Sequence, residues 1–461
     1  MRKVSRSMRA PAPQNPRNTY RHVGPALSRV GGAGGLVVLS ILFWLIFYQN
    51  LPDNLGLNSM ASEETVPAAN TPDRIIKACM IAMSVYVIAT RWSLTRLLAK
   101  NINAGAAAFL VLAALSAVWS IEPAATILRF ISLASIVLIC FAISLAGWHR
   151  QRFQQLAIPP LMFILVASLA IGIIFPDEIK ELGNDISQKD AWHGITLTKN
   201  QFGMTASLGV LICVNRWLAR EGRTSWAIAG AAVAFVCLIL SRSNASLLAT
   251  MLGVLFMVLV MLVPMIKRRY STHVVGAIFA TILLYELVIQ NVIPGAYTLL
   301  APIRSLTGKD ATFSARTMIW DVVKEHIQAA PYLGTGYGAY WVGPVARSPS
   351  YVFTYLMYFY PTEAHNGYLD VVNDLGYVGL ICLLVFLFSY MRQALQLMRI
   401  DRNQAALYLA LLFQQMVMNM SESEWFSRDS TFTILILAMT CLSRGLLEGR
   451  LHAQSVVSAC R

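Results

Sequence analysis

Charge is what this sequence holds least of. Asp, Glu, Lys and Arg make up 13% of its 461 residues, against 56% hydrophobic side chains and a mean hydropathy of +0.57. A soluble globular domain carries about twice that charged fraction, so that class is excluded. Cysteine is sparse and scattered. Cys79, Cys140, Cys213, Cys237, Cys382 and Cys441 lie in apolar runs, and Cys460 lies near the C-terminus. With no CxxC and no Cys/His cluster, neither a disulfide framework nor a zinc site is expected. Nucleic-acid-binding motifs are lacking too, so the net charge of +14 does not read as a nucleic-acid surface. No internal repeat and no paired-carboxylate motif is visible, and neither a metal nor a cofactor is expected.

What the sequence does hold is a series of apolar runs of roughly the 17–25 residues that cross a bilayer as helices. Expected spans are 35–51, 75–89, 104–119, 124–148, 159–174, 201–217, 226–240, 245–266, 274–292, a tenth ending at Tyr390, 405–420 and 431–446. Lys and Arg fall in alternate connections, such as Arg91, Arg96 and Lys100, or Lys267, Arg268 and Arg269, and mark the cytoplasmic side. The reading is an all-α polytopic membrane protein of about twelve spans with both termini cytoplasmic. Residues 1–30 contain no acid and read as a disordered basic tail, 31–446 as the transmembrane domain, and 447–461 as a second cytoplasmic tail. A long hydrophilic loop, 294–363, separates the ninth and tenth spans on the outer side.

That topology gathers Lys199, Arg242, Arg316 and His365 on the outer face, from four separate connections. His365-Asn366 opens the tenth span within PTEAHNGYLDVVNDLGYVGL. Thr362 is placed to cap that helix, which puts His365 in its first turn, where the helix dipole keeps the imidazole neutral and fit to act as a general base. The alternative is an inert interfacial histidine. Asn366 and Asp370, one turn apart, read as substrate-orienting groups or as polar lining. Residues 312–329 show helical periodicity, with Ala315, Met318, Ile319, Val322, Val323 and Ile327 on one face and Arg316, Trp320 and Lys324 on another. Pro331 stops that helix, and Thr312 or Ser314 starts it. In GTGYGAYW, Tyr337, Tyr340 and Trp341 are suited to stacking on sugar rings or to interfacial anchoring. Lys199-Asn200 heads the sixth span, either as a binding pair or as a snorkelling lysine beside a capping residue. Arg242, in the tight turn SRSN, needs an anionic partner, whether a phosphate or the carboxylate of Glu286.

AHNGYLDVVNDLGYVGL, with the upstream ARTMIW and PYLGTGYGAYW blocks, resembles the O-antigen ligase and polymerase superfamily of bacterial membrane proteins. WHGITLTKNQFG and SRSNASLL resemble two earlier blocks of it, so the resemblance covers about 192–380. The loop length and the KNQFG form are most similar to exopolysaccharide polymerases of the rhizobial type. The resemblance implies a C-type glycosyltransferase fold in the bacterial inner membrane. It also implies glycan transfer from undecaprenyl diphosphate to an acceptor sugar at the periplasmic face. His365, Arg316 and Arg242 carry the family's functional positions, while Ala315 stands where many members have glycine before the arginine. Lys199, Asn200, Asn366, Trp320, Tyr337 and Trp341 are then the expected substrate-binding residues. Partners implied are the lipid-linked donor, the glycan acceptor, the bilayer, and polysaccharide export and chain-length control proteins. Two alternatives stay open: a ligase that passes the glycan to lipid A-core, and a transporter or flippase of lipid-linked sugars.

Overall fold

The computed structural model describes residues 40–41, 71–146, 152–181, 190–262, 271–289, 314–344, 346, 348–357, 360–427 and 430–459. The first expected span lies outside them except for Ser40 and Ile41, as does the basic tail of residues 1–30. Among the described residues every regular element is helical, apart from an isolated bridge between Lys180 and Trp192. The helices are α1 Thr71–Thr90, α2 Trp92–Ala99, α3 Ala104–Leu115, α4 Pro123–Ala146, α5 Arg152–Ile174, α6 Lys199–Leu218 and α7 Thr224–Leu240. They continue as α8 Asn244–Leu262, α9 Ser271–Ile289, α10 Ser314–Ala329, the short α11 Phe353–Leu356, α12 Gly367–Leu397, α13 Arg402–Met418 and α14 Ser430–Ala459.

Local chemistry sets several of the helix starts. Asn103 caps α3 by accepting from the Ala106 amide, Thr198 caps α6 through Gln201, and Asp401 caps α13 through Gln404. Five helices are long and apolar enough to cross a membrane: α4, α5, Asn244–Met261 of α8, α12, and Thr431–Ala453 of α14. Residues 78–90 of α1 and α2, bent by 95°, make up to six if counted as one span. The chain is therefore a multi-pass membrane protein. The basic stretch around Arg96, expected as an inner loop, is itself helical as α2, and Arg91 Nη1 donates to the Leu145 carbonyl at 2.5 Å. The C-terminal helix also runs past the expected end of its span at residue 446, as far as Ala459.

The other expected spans that fall among the described residues are helices too, and α6 and α13 fall short on hydropathy for a reason seen in the packing. Thr250 of α8 donates to Ser207 of α6 at 2.7 Å, and Gln414 of α13 donates to the same hydroxyl at 3.2 Å. Polar side chains joined across helices substitute for apolar contact inside a bundle. Most of α13 is buried on every side, as is most of α14. These two helices, with α12, form the centre, and α3, α4, α5, α6 and α8 pack around them.

α12 is broken. Gly376 takes φ 64° and ψ −166° inside it. The loop after α10 enters that break: the amides of Tyr377 and Val378 donate to the carbonyls of Pro331 and Tyr332, at 2.8 and 3.2 Å. In return the amides of Thr335 and Gly336 donate to the carbonyls of Asn373 and Asp374, at 3.3 and 2.9 Å. A Cβ at Gly376 would lie 2.2 Å from the Tyr332 carbonyl, so only glycine fits. The GTGYGAYW segment thus stitches the loop after α10 to a membrane helix.

Candidate active site

The site lies where α12 begins. Asn366, with φ −159°, is the N-cap, and its Oδ1 accepts from the amides of Tyr368 and Leu369, both at 3.0 Å. The expectation that Thr362 caps this helix is corrected. His365 is outside the first turn, in a left-handed conformation with φ 51°. That backbone state is costly for a residue with a Cβ and persists only where the surroundings enforce it. Three things enforce it here. The Gly367 amide donates to the carbonyls of Asn419 and Glu422, at 2.9 and 3.0 Å. The Asn366 amide donates to Ser423 Oγ at 3.2 Å. On the other side, Trp320 Nε1 donates to the Ala364 carbonyl at 2.9 Å, and the Ala364 amide donates to Asp370 Oδ2 at 2.9 Å.

So held, the His365 ring is shared between two carboxylates. Its Nδ1 lies 2.9 Å from Glu363 Oε1 and 3.4 Å from Glu422 Oε2. Arg316 of α10 reaches the same group: Nη2 is 3.0 Å from Glu422 Oε1, and Nη1 donates to the Ser421 carbonyl at 2.5 Å. Asn200 of α6 donates to Glu422 Oε1 at 2.8 Å. Glu422 is thus the junction at which α6, α10 and the lead into α12 meet the α13–α14 connection.

The electrostatics follow from the contacts. Burial works against the imidazolium, but hydrogen bonds and charge from Glu363 and Glu422 push His365 up to about 10. Burial pushes the Glu363 carboxyl up to about 7, with the Glu422 charge adding to it and the His365 bond opposing it. For Glu422, burial is outweighed by His365 and Arg316, which hold it below the usual carboxylate range. The expectation of a histidine kept neutral by the helix dipole is corrected: His365 lies outside the first turn, and the two carboxylates at its Nδ1 favour the protonated ring. The sequence reading also saw no carboxylate pair, because Glu363 and Glu422 are far apart in the chain and meet only in the fold. Among the described residues, Glu363, His365 and Glu422 are the set whose donor atoms, within 4.8 Å of one another, lie close enough to share an ion.

Of the other expected residues, Lys199 is half-buried at the head of α6, and its amide donates to Glu181 Oε1 at 2.8 Å. Arg242 is exposed in the α7–α8 turn with φ 49°. The side chain of Glu286, its expected alternative partner, is not among those described. Asn366 is fully buried and occupied as a cap, a structural duty where substrate contact was expected. The aromatic residues are corrected in the same sense. Trp320, Tyr337 and Trp341 are 3%, 9% and 7% exposed, which leaves no open face for a sugar. Trp320 packs with Ile319, Val323 and Ile327, on the buried side of α10 and not on the polar face assigned to it. Tyr337 donates to the Phe426 carbonyl at 2.5 Å, and Trp341 Nε1 donates to Asp370 Oδ1 at 2.8 Å. Arg129 of α4 clamps the same loop by donating to the carbonyls of Gly338 and Trp341. These residues build the wall behind His365.

Two comparisons bear on this site. The family model described as O-antigen ligase matches residues 229–384, a segment that includes Arg242, Arg316, Glu363 and His365. The exopolysaccharide production protein ExoQ of Rhizobium meliloti (strain 1021) is 26% identical over 324 residues, covering 66% of this chain and 69% of that protein. Glu422 and Asn200 lie outside the matched segment. Residues 229–384 are thus similar to the O-antigen ligase family, and the chain as a whole resembles the O-antigen ligase and polymerase superfamily.

Proposed function

We propose that this protein is an inner-membrane glycosyltransferase that polymerises undecaprenyl-diphosphate-linked oligosaccharide units into exopolysaccharide at the periplasmic face. The observation that carries the reading is the meeting of Arg316 and His365, both inside the matched segment, on the carboxylate of Glu422 at the start of an apolar helix. A sugar on a lipid diphosphate is already activated, and its leaving group gains negative charge as the bond to the anomeric carbon breaks. Fixed cations at that point stabilise the transition state. Arg316 and His365 are the cations the fold supplies, and Arg242 and Lys199 are the cationic residues of neighbouring connections that complete the diphosphate's surroundings. Displacement is direct, with inversion at the anomeric carbon. The name of the Rhizobium relative, an exopolysaccharide production protein, favours polymerase over ligase. The half of α12 beyond its break leads from this group into the bilayer, which suits a donor whose lipid tail stays in the membrane.

The test uses full-length protein in lipid vesicles with lipid-diphosphate oligosaccharide extracted from the source cells. A ladder of lengthened glycans supports the polymerase. Transfer of the glycan only to lipid A-core would make it a ligase. Movement of the donor across the bilayer with no new glycosidic bond would overturn the enzyme reading.

A further inference from the structure

An acceptor hydroxyl that attacks an anomeric carbon must lose a proton, and the Nδ1 of His365 is already held between two carboxylates. Two carboxylates flank that histidine, and their surroundings differ. Glu422 is 7% exposed, and both its oxygens are engaged, Oε1 by Arg316 and Asn200 and Oε2 by His365. Glu363 is 27% exposed, and its contact to His365 at 2.9 Å is the shorter of the two. When two neighbouring acids are pushed apart by environment, the one stabilised as an anion serves as a fixed charge, and the other, near neutrality, exchanges protons.

Resting on the glycosyltransferase reading, we infer that Glu363 is the catalytic base and Glu422 the positioning residue, the fixed counter-ion of Arg316 and His365. The acceptor O–H gives its proton to the Glu363 carboxylate as its oxygen forms the bond to the anomeric carbon. The bond from that carbon to the diphosphate oxygen breaks, and the electron pair leaves with the lipid diphosphate. Glu363, on the accessible side of the group, then returns the proton to water. His365 donates a hydrogen bond that aims the Glu363 carboxylate. The charged groups that act on His365 are Glu363 and Glu422; those that act on Glu363 are His365, Glu422 and Asp370 of α12, with Arg316 of α10 bonded to Glu422.

The experiment compares full-length wild type, Glu363→Gln and Glu422→Gln in vesicles, with the extracted lipid-diphosphate oligosaccharide as donor, over a range of pH. Glu363→Gln is expected to lose on the order of 10²-fold or more in kcat, with KM for the donor nearly unchanged. Glu422→Gln is expected to keep measurable turnover while the alkaline limb of its pH profile moves down, because His365 loses one of its two anions. Glu422→Asp, which retains the charge, is expected to restore that limb and serves if the Gln variant does not fold. Wild-type turnover in a folded Glu363→Gln protein, or an unmoved alkaline limb in Glu422→Gln, would overturn the assignment. If wild type itself forms no glycosidic bond, it is the proposed function that fails, so the two failures are distinct.

Discussion

His365 is strained in its backbone and satisfied in its ring, and both properties have measurable consequences. A histidine whose folded value is raised contributes stability that is fully present below its ordinary value of about 6.5 and is lost as pH rises through the folded value. With His365 pushed up to about 10, the stability its ion pairs contribute declines from about pH 6.5 and is lost by that alkaline value. Glu363 acts in the same direction over a lower range of pH. A carboxyl raised to about 7 costs stability as it ionises, between its ordinary range and that value. The melting temperature measured against pH is expected to fall as pH approaches 10, and His365→Ala is expected to flatten that fall. At neighbouring Asn366, replacement by Ala removes the acceptor for two buried amides and is expected to cost about 1–2 kcal/mol, read from denaturant unfolding in detergent. Asn366→Asp, which keeps the acceptor, is expected to cost less.

At the scale of elements, α10 and α12 behave as one piece. Trp320 ties α10 to the carbonyl next to His365, and the Pro331–Gly338 loop fills the break in α12. Gly376→Ala therefore meets two obstacles, a positive φ and a backbone carbonyl in the space the methyl needs. The strained φ alone costs about 1–3 kcal/mol. We expect a large drop in melting temperature and in yield, while Gly276→Ala in α9, where a Cβ meets nothing within 4 Å, is expected to be neutral or slightly stabilising. α10 itself was legible in the sequence, because a helix with one apolar face shows its period. The side taken by Trp320 was not. It lies at the edge of that stripe, and its indole N–H is drawn inward by a carbonyl that sequence spacing does not reveal. The burial of Tyr337 and Trp341 escaped for the same kind of reason: their polar tips find partners in α12 and in the α13–α14 connection, remote in the chain.

For the whole molecule, hydropathy and charge located nearly every helix, since a membrane helix announces itself by composition. The wrapping of α13 and α14 inside the bundle was hidden, because a helix buried on all sides has no polar face to orient it. Glu422 was hidden too, because only the packing of α13 against α12 brings it to His365. The proposed orientation is testable by labelling. Cysteine introduced at the exposed Gln328 is expected to react with a membrane-impermeant thiol reagent applied from outside the inner membrane. Cysteine at the exposed Arg399 is expected to react only after permeabilisation. Because Arg316 and His365 supply the cationic charge locally, transfer is also expected to survive a chelator, assayed by glycan length. The break in α12 bears, finally, on how the protein is made. A span whose Tyr377 and Val378 amides bond outside their own helix cannot be finished by the insertion machinery alone. Their partners lie earlier in the chain, so a ribosome has already delivered them when α12 emerges. Membrane integration of this helix and closure of the loop over it become a single event in biogenesis.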